Sequence, residues 1–137
     1  MIDHVHALPE GYRLQEYTIT GTLGFGGFGI TYSALDTNLD KVIAIKEYLP
    51  SELAVRVGGS TVSAKSEQDR GSFDWGLQRF LDEAKTLAKF DHPNVVRILR
   101  FFEQNGTGYI VLEFIEGQTL SAVLKQKGTL EESEIRA

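Results

Sequence analysis

Residues 23–32 read LGFGGFGITY, with four glycines in six positions and an Ile-Thr-Tyr run directly after them. Glycine inside a strand costs roughly 0.5–1 kcal/mol relative to alanine, so this composition requires a reason. Three arrangements use such a stretch: a flexible turn, the fingerprint of a dinucleotide-binding fold, and a lid over phosphate groups. The rest of the sequence decides among them.

The composition of the 137 residues is typical of one soluble globular domain. The formal net charge of −5 argues against nucleic acid or an anionic membrane surface as the main partner. The absence of cysteine excludes disulfides and thiolate chemistry. No apolar run is long enough to cross a membrane, and the first residues lack the basic start of a signal peptide. We therefore expect a cytoplasmic protein.

The hydrophobic pattern predicts strands first, then a helix, then strands again. Strands are predicted at 12–23, 30–35, 41–47, 95–103 and 109–113, with Asn105-Gly106 as the hairpin turn between the last two. The polar stretch at about 50–71 indicates a solvated loop. A helix is predicted to follow, with Ser72 as its N-cap, because apolar residues then recur at helical spacing. The turn DHPN at 91–94 ends it.

The strand after the glycines decides what the glycines do. Gly24, Gly26 and Gly29 fit G-x-G-x-x-G, but a dinucleotide fold would open a helix at this point, and Ile30-Thr31-Tyr32 favours a strand. A Walker loop needs a lysine after the glycines, and no lysine occurs before residue 41. What remains is a strand–turn–strand hairpin whose backbone amides can approach a phosphate closely.

The sequence resembles the eukaryotic-like protein Ser/Thr kinases, and bacterial members in particular, over about residues 14–127. The motifs follow the order of that family: LGFGGFGITY as its glycine-rich loop, then IAIK at 43–46, FLDEAKTL at 80–87, DHPNVVRI at 91–98 and YIVLEFIEGQTL at 109–120. Thr31 stands where the family usually has valine, and the spacing between Lys46 and Glu83 is longer than usual. The family motifs H-R-D-x-x-x-x-N and D-F-G do not occur in these 137 residues.

The resemblance implies the N-terminal lobe of a kinase. The expected fold is α+β, with a twisted five-stranded antiparallel sheet, one major helix, and the hinge and helical remnants of the second lobe. Residues 1–11 would form a flexible lead-in and residues 12–116 the lobe, with an insert at about 47–72 and the helix at about 72–89. Residues 117–137 would form a helical segment that begins the second lobe.

The resemblance also implies the residues of the site. Lys46 would hold the α- and β-phosphates, and Glu83 would pair with Lys46 and orient it, which makes these two the catalytic pair. The other nucleotide-binding residues would be Gly24, Phe25, Gly26, Gly27, Phe28 and Gly29 of the loop, Leu23, Thr31, Ala44 and Leu112 of the adenine pocket, and Glu113 and Ile115 of the hinge. Leu112 is at the gatekeeper position, and Leu87 and Ile98 match two spine positions of the family.

The full-length protein is therefore expected to transfer the γ-phosphoryl group of ATP to Ser or Thr hydroxyls of a protein substrate. ATP and Mg²⁺ are the implied cofactors, and no metal ligand is predicted within this chain. Since H-R-D and D-F-G are missing, the chain alone is expected to be inactive, to bind nucleotide weakly and to self-associate. The alternative is a stand-alone, non-catalytic lobe that serves binding or dimerisation. H-R-D and D-F-G motifs downstream of Ala137 would exclude that alternative.

Overall fold

The computed structural model describes residues 5–89 and 97–113. These residues form, in chain order, β1 (Arg13–Leu14), β2 (Tyr17–Gly26), β3 (Gly29–Asp36), β4 (Lys41–Tyr48), β5 (Ala54–Val57), β6 (Thr61–Ala64), α1 (Glu67–Ala88), β7 (Ile98–Gln104) and β8 (Thr107–Glu113). Six strands make one antiparallel sheet in the order β1-β2-β3-β4-β8-β7, while β5 and β6 pair with each other. The predicted α+β fold with one major helix is confirmed, and the two-residue β1 makes the expected five-stranded sheet six-stranded.

Strand β4 runs through the middle of the sheet and is buried on both faces, as its apolar sequence predicts. Side chains of a strand alternate between the two faces, so Ala44 and its neighbours Ile43 and Ile45 enter different cores. The small core consists of Leu23, Ala44, Ala84, Ile98, Ile110 and Leu112. The large core consists of Leu8, Leu14, Tyr17, Ile19, Ile30, Tyr32, Ala34, Ile43, Ile45, Tyr48, Leu49, Ala54, Val62, Phe73, Tyr109 and Val111.

Helix α1 begins at Glu67, and the prediction that Ser72 is its N-cap is wrong. The N-cap is Ser66, whose Oγ accepts a hydrogen bond from the backbone N–H of Asp69 at 3.2 Å. Glu67 and Asp69 place negative charge in the first turn, where it interacts favourably with the helix dipole. The first turn is polar throughout, so the apolar periodicity that predicts the helix starts only at Phe73.

The polar stretch predicted to be a solvated loop contains the hairpin of β5 and β6, so that prediction is wrong for these residues. Gly58 and Gly59 form its turn with φ angles of 60° and 88°. Ala54 and Val62 insert into the large core. The backbone N–H of Val62 donates to the carbonyl oxygen of Asn105 at 2.7 Å, which connects this hairpin to the turn between β7 and β8.

The residues before β1 also pack on the sheet, which corrects the prediction of a flexible lead-in for this part of the chain. Leu8 is buried in the large core, and its backbone N–H donates to the hydroxyl of Tyr32 at 3.0 Å. The backbone N–H of Gly11 donates to the carbonyl oxygen of Ile19 at 2.7 Å. The lead-in and the β5–β6 hairpin thus contribute to the same core.

A fully buried carboxylate connects the β5–β6 hairpin to the sheet. Glu47 follows Lys46 on β4 and therefore points to the opposite face, where its exposure is 0%. The hydroxyls of Tyr32 and Tyr109 each donate to it at 2.7 Å, and the guanidinium of Arg56 on β5 lies 2.5 Å away. Burial, together with the charge of Glu47, raises the pKa of both tyrosines, so both remain protonated donors.

The glycine-rich segment forms the predicted strand–turn–strand hairpin. Gly26 of β2 pairs with Gly29 of β3, and Gly27-Phe28 forms the turn between them. A Cβ atom added to Gly29 would lie 1.9 Å from the carbonyl oxygen of Glu47, so only glycine allows β3 to approach the end of β4 this closely. The same addition at Gly27 meets nothing within 4 Å.

The remaining predicted elements are confirmed in part. Asn105 and Gly106 have φ angles of 58° and 76° and form the predicted turn between β7 and β8. Part of the strand predicted at 95–103, the turn at 91–94 and the helical segments predicted after residue 116 lie outside the described residues. In the described ranges, no helix has the length and hydropathy needed to span a membrane.

Replacing Arg56 with alanine should strongly destabilise the chain. The change leaves the charge of Glu47 buried without its cationic partner, so we expect the free energy of unfolding to fall by about 3–5 kcal/mol in urea denaturation. Arg13→Ala, which removes an exposed arginine from β1, is the matched control and should change stability by less than about 0.5 kcal/mol. Equal losses in the two variants would contradict the role given to Arg56.

Replacing Gly29 with alanine should disturb the pairing of β3 with β4. The added methyl group meets a backbone oxygen that cannot move away, so we expect a loss of about 1–3 kcal/mol in urea denaturation. Gly27→Ala places its methyl group in open space and should change stability by less than about 0.5 kcal/mol. A Gly29→Ala chain as stable as Gly27→Ala would show that the two strands do not approach this closely.

Candidate nucleotide-binding site

The register of the sheet brings the glycine hairpin next to Lys46. Gly24 of β2 pairs with Thr31 of β3, Thr31 pairs with Lys46 of β4, and Lys46 pairs with Ile110 of β8. Residues directly opposite each other on antiparallel strands share one face of the sheet. These four residues therefore form a row across four strands, on the face that carries the small core.

Three of the predicted adenine-pocket residues meet in the small core. Leu23, Ala44 and Leu112 are each almost completely buried, and Ala44 pairs directly with Leu112. Leu23 lies at a register shift between β2 and β3, where a bulge changes the direction of a side chain. Thr31, the fourth predicted residue, is half-buried and neighbours Lys46. An apolar patch thus lies beside the row that carries the lysine.

Helix α1 carries Glu83 on the side of this patch. Ala84, the next residue, belongs to the small core together with Ala44 of β4. Glu83 is half-buried and lines a surface pocket with Arg79, Asp82, Thr86 and Leu87. Lys46 is half-buried on β4. Each residue is close in sequence to a residue of the small core, Lys46 to Ala44 and Glu83 to Ala84, and their ion pair stays a prediction. Leu87 and Ile98, the predicted spine residues, contribute to the same core.

The tip of the glycine hairpin is open to solvent on one side. Phe25 and Phe28 are exposed, Phe28 with 71% of its surface. Side chains added at Gly26 or Gly27 would meet nothing within 4 Å. The backbone of the tip is therefore exposed to solvent on this side.

The other side of the tip is paired with the chain that follows β4. The backbone N–H groups of Leu49 and Ser51 donate to the carbonyl oxygens of Phe28 and Gly27, each at 2.9 Å. The sequence does not predict this pairing, because residues 49–51 fall within the insert predicted at about 47–72. Pro50 between them is buried. The apolar run Tyr48-Leu49-Pro50, which continues β4, is the only local signal in the sequence for a packed segment here.

The predicted hinge is described only at its first residue. Glu113 ends β8, its backbone N–H donates to the carbonyl oxygen of Arg97 at 2.9 Å, and its carboxylate lies 3.9 Å from Nζ of Lys41. Ile115 lies outside the described residues. Within residues 5–89 and 97–113, no three His, Cys, Asp or Glu side chains come close enough to hold a metal ion.

The chain is similar in sequence to serine/threonine kinases of bacteria. Serine/threonine-protein kinase B of Synechocystis is 30% identical over 123 residues, which cover 88% of this chain and 19% of that protein. Serine/threonine-protein kinase PrkC of Bacillus subtilis is 31% identical over 118 residues, which cover 86% of this chain and 15% of that protein. The chain therefore spans less than a fifth of the length of either relative.

Solved structures show the same fold. The structure described as PpkA-294 apo form has a TM-score of 0.79 and 43% sequence identity, and the match covers 88% of this chain and 43% of that chain. The kinase domain of Mycobacterium tuberculosis PknI has a TM-score of 0.56 at 20% identity, over 80% of this chain and 36% of that chain, which is a likeness of fold alone. The protein kinase domain family itself matches residues 17–137. Since that match begins with β2 and covers most of the sequence, the chain belongs to the protein kinase domain family.

Proposed function

We propose that this chain is the ATP-binding lobe of a protein Ser/Thr kinase, which transfers the γ-phosphoryl group of ATP to protein hydroxyls. The observation that carries the proposal is the row of Gly24, Thr31 and Lys46 beside the small core. A glycine hairpin, a cation and an apolar patch are the three features that a nucleotide requires. The names of the two bacterial relatives, both serine/threonine-protein kinases, support the choice of reaction.

Each part of the site has a task that follows from its chemistry. Leu23, Ala44 and Leu112, which meet in the small core, would form the apolar wall against which the adenine ring packs. Lys46 lies two residues from Ala44 on the same face of β4, about 7 Å along the strand. The cation that would bind the α- and β-phosphates is thus separated from the adenine patch by one strand repeat.

The glycine hairpin would cover the phosphates. Its tip carries no side chains at Gly26 and Gly27, so backbone amides can approach phosphate oxygens. Glu83 would pair with Lys46 and hold the ammonium group toward the phosphates. Mg²⁺ bound with ATP would supply charge neutralisation. Because H-R-D and D-F-G do not occur in these residues, we assign binding and orientation to this chain and no transfer step.

Binding of ATP by the chain alone should be weak, with a dissociation constant in the high-micromolar to millimolar range, about −4 to −5 kcal/mol. Lys46→Ala should weaken ATP binding about tenfold, which corresponds to about 1.4 kcal/mol, and leave adenosine binding unchanged, because the lysine acts on phosphates. Lys41→Ala, at the exposed start of the same strand, is the control. Titrations followed by NMR or calorimetry measure the affinities of the unaltered chain and of the two variants.

Two further results would decide against this proposal. Equal affinities of the Lys46→Ala and Lys41→Ala chains for ATP would place the phosphates elsewhere. Ala44→Leu fills the apolar patch and should weaken ATP and adenosine binding alike, so unchanged adenosine binding in that variant would remove the adenine assignment.

A further inference from the structure

A glycine of helix α1 lies directly against a tyrosine of β4. The hydroxyl of Tyr48 donates a hydrogen bond to the backbone carbonyl oxygen of Phe73 at 3.0 Å. A Cβ atom added to Gly76 would lie 2.2 Å from that hydroxyl oxygen and 3.2 Å from Cζ of the same ring. A side chain at position 76 would therefore overlap the hydroxyl of Tyr48 unless the tyrosine or the helix moved.

Tyr48 has little freedom to move away. Its ring is 4% exposed and packs against the rings of Phe73 and Phe80, with centroid distances of 5.2 and 5.4 Å. Its backbone carbonyl oxygen accepts a hydrogen bond from the hydroxyl of Thr107. Burial raises the pKa of Tyr48, and the nearby charge of Asp74 raises it further, so the hydroxyl stays a donor.

Glycine at position 76 is unfavourable for the helix itself, since alanine is the better helix former. The helix holds a second glycine, Gly71, where an added Cβ atom would meet nothing within 4 Å. The requirement for glycine therefore differs between the two positions. At Gly76 the lack of a side chain allows the strand and the helix to approach each other.

This contact lies on the same two elements as the predicted ion pair, β4 and α1. Tyr48 is two residues after Lys46 on the same strand, about 7 Å away on the same face by strand alternation. Its ring belongs to the part of the large core that is formed with Phe73 and Phe80 of α1. Gly76 is seven residues, or two turns, before Glu83, which places both on the same side of α1 about 10.5 Å apart. A shift of the helix at Gly76 would thus change the distance between Lys46 and Glu83.

We propose that Tyr48 is a positioning residue of the nucleotide site. Its hydroxyl, accommodated by Gly76 and bonded to the carbonyl of Phe73, holds α1 at the distance from β4 at which Glu83 can meet Lys46. The inference rests on the proposed function, because the roles of Lys46 and Glu83 in nucleotide binding are taken from that proposal.

The sign of the change in stability tests the contact. Gly71→Ala should raise the urea midpoint, because alanine favours the helix and its methyl group is unobstructed. Gly76→Ala should lower the midpoint despite the same gain in helix propensity. The double variant Tyr48→Phe/Gly76→Ala should have a higher midpoint than Gly76→Ala alone, because the clashing oxygen is gone.

The position of the helix can be measured without nucleotide. The chain contains no cysteine, so Leu39→Cys and Ala88→Cys, both at exposed positions, introduce two defined sites for spin labels. Electron–electron double resonance then reports the distance from the β3–β4 turn to the end of α1. We expect Gly76→Ala to shift or broaden this distance and Gly71→Ala to leave it unchanged. The double variant should restore the distance only in part, because it removes the clashing oxygen but also the hydrogen bond to Phe73.

Nucleotide affinity connects the helix position to the site. Gly76→Ala should weaken ATP binding about fivefold and adenosine binding little, since the displaced helix affects the phosphate end. The double variant should recover only part of the loss, because it also lacks the hydrogen bond from residue 48 to Phe73. A midpoint that rises in Gly76→Ala as in Gly71→Ala, or a double variant no better than Gly76→Ala, would overturn the inference. Absence of ATP binding by the unaltered chain would reject the proposed function instead, and the label distances would still decide the contact.

Discussion

The buried carboxylate of Glu47 is the constraint on which the arrangement of this chain depends. Because neighbouring residues of a strand point to opposite faces, placing Lys46 on the face of the small core sends Glu47 into the large core. A charge removed from water must be compensated, and Arg56, Tyr32 and Tyr109 provide this from β5, β3 and β8. The β5–β6 hairpin is thereby part of the core.

The same network explains how the chain accommodates a long connection between Lys46 and Glu83. The additional residues form a hairpin that packs into the large core through Ala54 and Val62. They therefore do not separate α1 from the sheet, and Ala84 still meets Ala44 in the small core. The connection also reaches the site, since the amides of residues 49 and 51 pair with the tip of the glycine hairpin.

Two glycines near the site are required for close approach between elements. Gly29 allows β3 to meet the carbonyl of Glu47, and Gly76 allows α1 to meet the hydroxyl of Tyr48. Both contacts involve consecutive residues at the end of β4, just after Lys46. The strand that carries the lysine is thus held on one side by the glycine hairpin and on the other by the helix.

The sequence alone determined the elements whose signal is local. The glycine hairpin, β4 and the turn at Asn105-Gly106 follow from alternation and turn chemistry. Only the tertiary structure decided the burial of Leu8, the packing of the β5–β6 hairpin into the large core, and the contact of Tyr48 with Gly76. These features arise between residues far apart in the chain, so no periodicity within a short segment could predict them.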